Sequence, residues 1–82
     1  MPNKKKDYTL EEKQFLKNIG FKVQFLRKKH DMSQLELAEK ADLSYTTISH
    51  LEGTNARVIS LISLYRIAKA LDATPDQLLK FD

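Results

Sequence analysis

Apolar residues recur along this 82-residue chain at spacings of three and four, which is the period of one face of an α-helix. No segment alternates between apolar and polar residues as a half-buried strand would. Two stripes are long: Phe15, Ile19, Val23 and Leu26 in the first half, and Leu61, Leu64, Ile67, Ala68 and Leu71 in the second. The pattern therefore predicts an all-α fold. Gly20, within the first stripe, indicates a kink or a close contact between helices.

Serine and threonine residues precede these stripes and are typical of helix starts, because their side chains accept a hydrogen bond from a free backbone N–H. In three places Glu or Gln follows three residues later and completes a capping box: Thr9 with Glu12, Ser33 with Glu36, and Thr74 with Gln77. Ser44 and Ser60 are simple N-cap candidates. These signals predict five helices, at about residues 10–30, 34–40, 45–52, 61–72 and 75–80.

Residues 33–52 carry two of these helices, separated by a tight turn at residues 41–43. Helices of seven or eight residues are not stable alone in water, because helix nucleation is costly, so each must pack on its neighbours. The apolar residues for this packing are Leu35, Ala38, Leu43, Ile48 and Leu51. Two short helices joined in this way define a helix-turn-helix.

Length and composition exclude several classes of protein. A chain of 82 residues forms one domain and leaves little interior for a substrate pocket. Cysteine is absent and there are two histidines, so neither a disulfide nor a zinc site is expected. With no nucleophile–base pair to assemble, we expect no enzyme activity, cofactor or small-molecule ligand. Without a signal peptide or an apolar run of ~20 residues, a cytoplasmic protein with no membrane contact is expected.

The net charge of +3 is unevenly distributed along the chain. Residues 1–30 contain nine Lys and Arg against three Asp and Glu, whereas residues 31–82 contain five against eight. A basic first third suits contact with a polyanion, although a solvated helix face and tail would have the same composition. Both interpretations stay open for Lys22, Arg27, Lys28 and Lys29. The Lys-rich residues 1–8 are predicted to form a flexible arm, followed by one helix-turn-helix domain at residues 9–82.

Short motifs follow one another at fixed spacing from the second predicted helix onward. They are Met32-Ser33-Gln34-Leu35-Glu36-Leu37-Ala38, Leu43-Ser44, Thr47-Ile48-Ser49, Leu51-Glu52, Ile59-Ser60-Leu61 and Ile67-Ala68-Lys69-Ala70-Leu71. The series resembles the phage-repressor (XRE) class of helix-turn-helix domains, over roughly residues 15–80. That class includes the repressor and Cro proteins of lambdoid phages and the controller proteins of restriction–modification systems. The resemblance implies a compact five-helix DNA-binding domain.

The chain departs from this family pattern at two places. Asp42 stands in the turn where the family usually has Gly, at a position that requires a left-handed backbone. Aspartate adopts that conformation more readily than most residues, so the fold is expected to hold. The loop from Glu52 to Ser60 is one residue longer than the commonest version and lacks the frequent Pro before Ser60. Contacts of this loop with DNA are therefore the part of the resemblance most affected.

The second helix of the motif carries four polar residues on one face, at positions i, i+1, i+4 and i+5: Tyr45, Thr46, Ser49 and His50. An α-helix fits the DNA major groove, and Ser and Thr hydroxyls can hydrogen-bond to base edges. We therefore predict that these four residues read bases, although a polar surface helix with no ligand would have the same composition.

The resemblance implies further roles for residues around this face. Five residues at helix starts or in the following loop would contact the DNA backbone: Gln34, Ser44, Thr47, Asn55 and Arg57. For the two loop residues, an ordinary solvated loop is the alternative. Arg27 would pair with Glu52 and orient the recognition helix, which is a structural role.

A single short helix reads only a few base pairs, so we expect a homodimer on a two-fold site in double-stranded DNA. In relatives the dimer surface comes from the last two helices, where this chain has Leu78, Leu79 and Phe81, which could instead cap the core. The sequence predicts a transcriptional regulator, either a restriction–modification controller protein or a phage-type repressor. The alternative is an antitoxin or adaptor that uses the fold mainly to bind protein.

Overall fold

The computed structural model describes residues 7–54 and 57–81, and five helices lie in these two ranges. They are α1 Leu10–Lys29, α2 Gln34–Ala41, α3 Tyr45–Glu52, α4 Leu61–Ala70 and α5 Pro75–Leu78. No strand occurs in this part of the chain, so the predicted all-α class and five-helix order are confirmed. None of the five helices is long and apolar enough to span a bilayer. Residues 1–6, most of the predicted arm, lie outside the described residues.

The first four helices begin at the serine or threonine that the sequence predicts. The Thr9 hydroxyl accepts from the Glu12 N–H at 3.0 Å, and the Glu12 carboxylate accepts from the Thr9 N–H at 2.9 Å. Ser33 and Glu36 form the same reciprocal pair at 3.0 and 2.8 Å. The serine N-caps of α3 and α4 accept from the N–H three residues on, at 3.1 and 3.0 Å. These bonds satisfy N–H groups that have no partner within the helix.

Three aspartates follow helices in the left-handed conformation, with φ of 56° at Asp31, 57° at Asp42 and 54° at Asp72. Asp42 is the C-cap of α2, with ψ of 45°. The expected conformation of the turn position is therefore confirmed. A left-handed backbone costs most L-residues about 1–2 kcal/mol, and aspartate is one of the few that visit it. The turn between α2 and α3 is thus made without glycine.

The core receives side chains from all five helices. Its buried apolar residues are Ile19, Val23, Leu37, Ala38, Ala41, Ile48, Leu51, Leu64, Ile67, Ala68, Ala70, Leu71 and Leu78. Three residues predicted to pack inward, Phe15, Leu35 and Leu61, are exposed instead. Phe15 lies beyond the point where α1 enters the core, and Leu61 is the first residue of α4. In α2 the inward face is formed by Leu37 with two alanines, which leaves Leu35 outside.

Gly20 lies where α1 crosses the end of α3. A Cβ atom at Gly20 would overlap the carbonyl oxygen of Leu51 and lie 3.2 Å from its carbonyl carbon and 3.5 Å from the Cα of Glu52. Glycine is the residue that permits such a close approach of two backbones. Because α1 is one unbroken helix, Gly20 marks a close helix contact.

Candidate nucleic-acid interface

The three residues 42–44 join α2 to α3, and α3 lies with one face on the core and the opposite face toward solvent. Ile48 and Leu51 are buried. The outward face carries the four predicted base-reading residues, the first two exposed and the last two half-buried: Tyr45, Thr46, Ser49 and His50. None of the four side chains hydrogen-bonds to another group within residues 7–54 and 57–81. Their polar groups are therefore available to an external ligand.

The first turn of α3 is held by its own hydroxyl groups. Ser44 Oγ and Thr47 Oγ1 lie 2.8 Å apart, and Ser44 Oγ also accepts from the Thr47 N–H at 3.1 Å. The N–H groups of the first two helical residues have no acceptor within a helix. Since the helix dipole places partial positive charge there, this end of α3 suits a phosphate group.

Gln34 begins α2 and lies beside the far end of α3. Its Nε2 donates to Oε1 of Glu52 at 3.1 Å. An amide side chain has a second N–H and an acceptor oxygen that this bond does not use. The N-terminus of α2 thus lies near the C-terminal end of α3.

The Arg27–Glu52 ion pair implied by the resemblance is present in the structure, and in the described ranges it is the one salt bridge. Arg27 Nε and Nη2 each donate to a Glu52 oxygen at 2.8 Å, and Nη1 donates to the Met32 carbonyl at 2.6 Å. The two side chains are 9% and 1% exposed. The hydrogen bond to the Glu52 side chain raises the pKa of Arg27 above its ordinary value. It ties the ends of α1 and α3 together.

Arg57 lies at the edge of this face. Its exposed side chain lines a shallow groove of about 130 Å³ between α3 and the loop, together with Thr46 and His50. Asn55, the other loop residue predicted to contact the DNA backbone, lies outside the described residues. No cluster of three or more potential metal ligands occurs within the residues that are described.

The C-terminal residues differ from the predicted dimer surface. Leu78 is 0% exposed, so the expectation that it lies on the surface is wrong. The short helix α5 has one inward position, and Leu78 fills it. Leu79 and Phe81 are exposed, and the Phe81 ring meets the Phe15 ring edge-on with centroids 5.8 Å apart. Only these two of the three residues offer surface to a partner.

Helix α4 exposes apolar residues that the sequence reasoning missed. Leu61, Ile62 and Tyr65 are 82, 60 and 53% exposed. They occupy positions i, i+1 and i+4, off the buried stripe of the helix. The signal was present in the sequence, since Ile62 and Tyr65 fall outside the inward stripe predicted for this helix.

A short helix with an uncharged polar outer face, set on a second helix by a tight turn and flanked by helix N-termini, defines a helix-turn-helix DNA-binding domain. Residues 22–82 match the Cro/C1-type HTH DNA-binding domain family, and the chain belongs to that family. The resemblance read from the motifs is thereby confirmed. The protein is a DNA-binding regulator, and its partner is double-stranded DNA.

Among solved structures, the chain is similar to the restriction-modification controller protein C.AhdI from Aeromonas hydrophila. The TM-score is 0.72 and the sequence identity is 30%, and the match covers 77% of this chain and 94% of that one. No curated protein sequence matches significantly. Residues 10–21, the first half of α1, precede the segment that matches the family.

Proposed function

We propose that this protein is a sequence-specific transcriptional regulator that binds a two-fold operator as a homodimer, with α3 in the major groove of each half-site. The observation that carries the proposal is the outward face of α3, which is rich in hydrogen-bonding groups that have no side-chain partner within residues 7–54 and 57–81. Helix N-termini at both ends of that face would hold the phosphates on either side of the groove.

The side chains of the proposed interface form two groups, one that can reach base edges and one that can reach the DNA backbone. Thr46 and Ser49 would hydrogen-bond to base edges, and the Thr46 methyl can touch a thymine methyl. Tyr45 and His50 extend the same face. The backbone contacts would come from the helix starts and the loop: Gln34, Ser44, Thr47, Asn55 and Arg57. The first set would determine sequence and the second would determine register and affinity.

The proposed dimer follows from the limited reach of one helix. Useful specificity requires a preference of ~10³–10⁷ over other DNA, and two half-sites one turn apart double the bases that are read. The apolar residues exposed on α4 and at the C-terminus supply a surface for a second copy: Leu61, Ile62, Tyr65, Leu79 and Phe81.

We infer further that the protein is a controller of a restriction–modification system. The support is its similarity to C.AhdI, which spans nearly the whole of that controller protein. A controller would act on the promoter region of its own operon, so the selected DNA sequence should recur there as an inverted repeat.

The test is selection of binding sites from random DNA duplexes with the wild-type protein and with Thr46→Ala and Ser49→Ala. The wild type should enrich an inverted repeat, and each variant should relax one position per half-site while keeping salt-dependent binding. Asn18→Ala, at a half-buried position of α1, is the control and should select the wild-type site. No sequence preference in the wild type would refute the proposal and favour an adaptor that binds protein.

The dimer has its own test by sedimentation equilibrium. Ile62→Glu and Tyr65→Glu should yield folded monomers, because each places a charge in the proposed interface. Leu35→Glu is the matched control, since Leu35 is 52% exposed on α2, outside the proposed surface. A wild-type monomer at concentrations that saturate the operator, or dimers in both α4 variants, would exclude this surface.

A further inference from the structure

A groove of about 610 Å³ lies between the first half of α1 and the loop that follows α3. Apolar residues and exposed cations share its lining: Tyr8, Leu10, Leu16 and Val58 with Lys13, Lys17 and Arg57. None of the described residues that line it is acidic. The groove therefore has a positive rim with no compensating carboxylate in its walls.

The charges on this rim repel one another in the free protein. Lys13 and Lys17 are four residues apart on α1, an arrangement of like charges that disfavours the helix. Neither they nor Arg57 take part in a salt bridge within the described ranges. A ligand with several negative charges along its length would relieve this repulsion, as the phosphates of a nucleic acid do.

The position of the groove connects it to the recognition helix. Arg57 lines both this groove and the shallow groove that contains Thr46 and His50. The positive rim therefore continues the outward face of α3. Its α1 residues precede residues 22–82, the segment that matches the family, so the family match does not account for this contact.

We propose that Lys13, Lys17 and Arg57 form a second DNA contact, through which the first half of α1 binds phosphates adjoining the half-site that α3 reads. The proposal rests on the proposed function and extends its footprint. Lysines on flexible stems bind phosphates as point charges, without reading sequence. The contact therefore adds affinity and salt dependence but leaves sequence preference unchanged.

The test compares Lys13→Gln/Lys17→Gln with wild type on one duplex that carries the selected site, over a range of salt concentrations. Each phosphate contact contributes ~0.9 to the slope of log affinity against log salt. Lys13 and Lys17 would make two contacts at each half-site and four per dimer, so their loss should lower the slope by about 3.6. With an unchanged intercept at 1 M salt, affinity at 0.1 M would fall about 4,000-fold. The enriched sequence and the far-ultraviolet circular dichroism should match those of wild type.

The matched control is Lys22→Gln/Lys29→Gln, which removes the same charge from the side of α1 that lines a groove with α5. Its salt slope should equal that of wild type. Trimming the duplex to the two half-sites should lower the wild-type slope at least to that of the Lys13 and Lys17 variant, and should lower the variant's slope only by the contact of Arg57.

The outcomes separate the two proposals. Specific binding with equal slopes in wild type and the Lys13 and Lys17 variant would overturn the second contact and leave the proposed function standing. Equal slope losses in the two double variants would also overturn it, because the effect would then be one of net charge. Absence of specific DNA binding in the wild type would overturn both proposals.

Discussion

The backbones of α1 and α3 approach each other closely where the helices cross at Gly20, and Gly20→Ala tests this contact directly. In an exposed helix this substitution would stabilise the protein by ~1 kcal/mol, because alanine is the better helix former. Here the added methyl group would overlap the Leu51 carbonyl oxygen and approach the Glu52 Cα. These are backbone atoms, so no rotamer change can make room, and one helix must move.

Overpacking of this kind costs typically 1–3 kcal/mol, and a backbone obstacle places the cost at about 2–3 kcal/mol. After the gain in helix propensity, we expect a net loss of about 1–2 kcal/mol. For a domain of this size that corresponds to a fall in melting temperature of about 4–16 °C. DNA affinity should fall as well, because the displaced end of α3 carries Glu52 and its contacts with Arg27 and Gln34.

Thermal and urea unfolding of Gly20→Ala provide the measurement, with Gly53→Ala as the control. A Cβ at Gly53 would lie 3.1 Å from the Ser49 carbonyl oxygen, and its backbone, with φ of −82° and ψ of 178°, is open to any residue. The control should therefore change stability by less than about 1 kcal/mol. If Gly20→Ala melts at or above the wild-type temperature, α1 and α3 do not cross as closely as described.

Three further comparisons test separate parts of the structure. Glu52→Gln removes one partner of a buried ion pair and should cost about 3–5 kcal/mol in urea unfolding, whereas Arg27→Met/Glu52→Leu should lose far less; equal losses would contradict the pairing. Asp42→Gly should stabilise the protein by about 0.5–1 kcal/mol, since glycine relieves the left-handed strain, and a lower melting temperature would contradict that turn. Leu78→Ala should cost about 2–5 kcal/mol and Leu79→Ala under about 1; similar losses would mean that α5 presents a different face.

The helices could be predicted from sequence because their signals are local. The N-caps Thr9, Ser33, Ser44 and Ser60 act on N–H groups two or three residues away, so the sequence alone identifies them. The ends of α4 and α5 were each predicted two residues too late. Where α4 ends, Leu71 is still buried and keeps the apolar period, although its φ of −99° has left the helix. The apolar period indicates which residues face the core, and a residue that caps a helix can face the core without belonging to the helix.

Where two apolar residues lie close together in a short helix, the local sequence does not determine which of them faces the core. Leu35 and Leu37 in α2, and Leu78 and Leu79 at the end of α5, are equally apolar. In helices of eight and four residues there are too few turns for a stripe to determine the orientation. Packing against the other helices decides, which is why Leu37 and Leu78 are buried and their neighbours are not. The long apolar stripes of α1 and α4 determine which face of each helix is buried. The residues of these stripes that are exposed, Phe15 and Leu61, lie in the first part of each helix.

The DNA-binding interface depends on residues adjacent in sequence and also on contacts between residues far apart in sequence, and substitutions of the two kinds should have different effects. The polar face of α3 follows from residues that are adjacent in sequence, whereas Arg27 and Glu52 are 25 positions apart and were paired only through the resemblance. Because an eight-residue helix is unstable alone, the orientation of α3 depends on its contacts with α1 and α2. Changes at Gly20 or Glu52 should therefore weaken DNA binding together with stability. Changes at Thr46 or Ser49 should alter sequence preference while stability stays nearly constant.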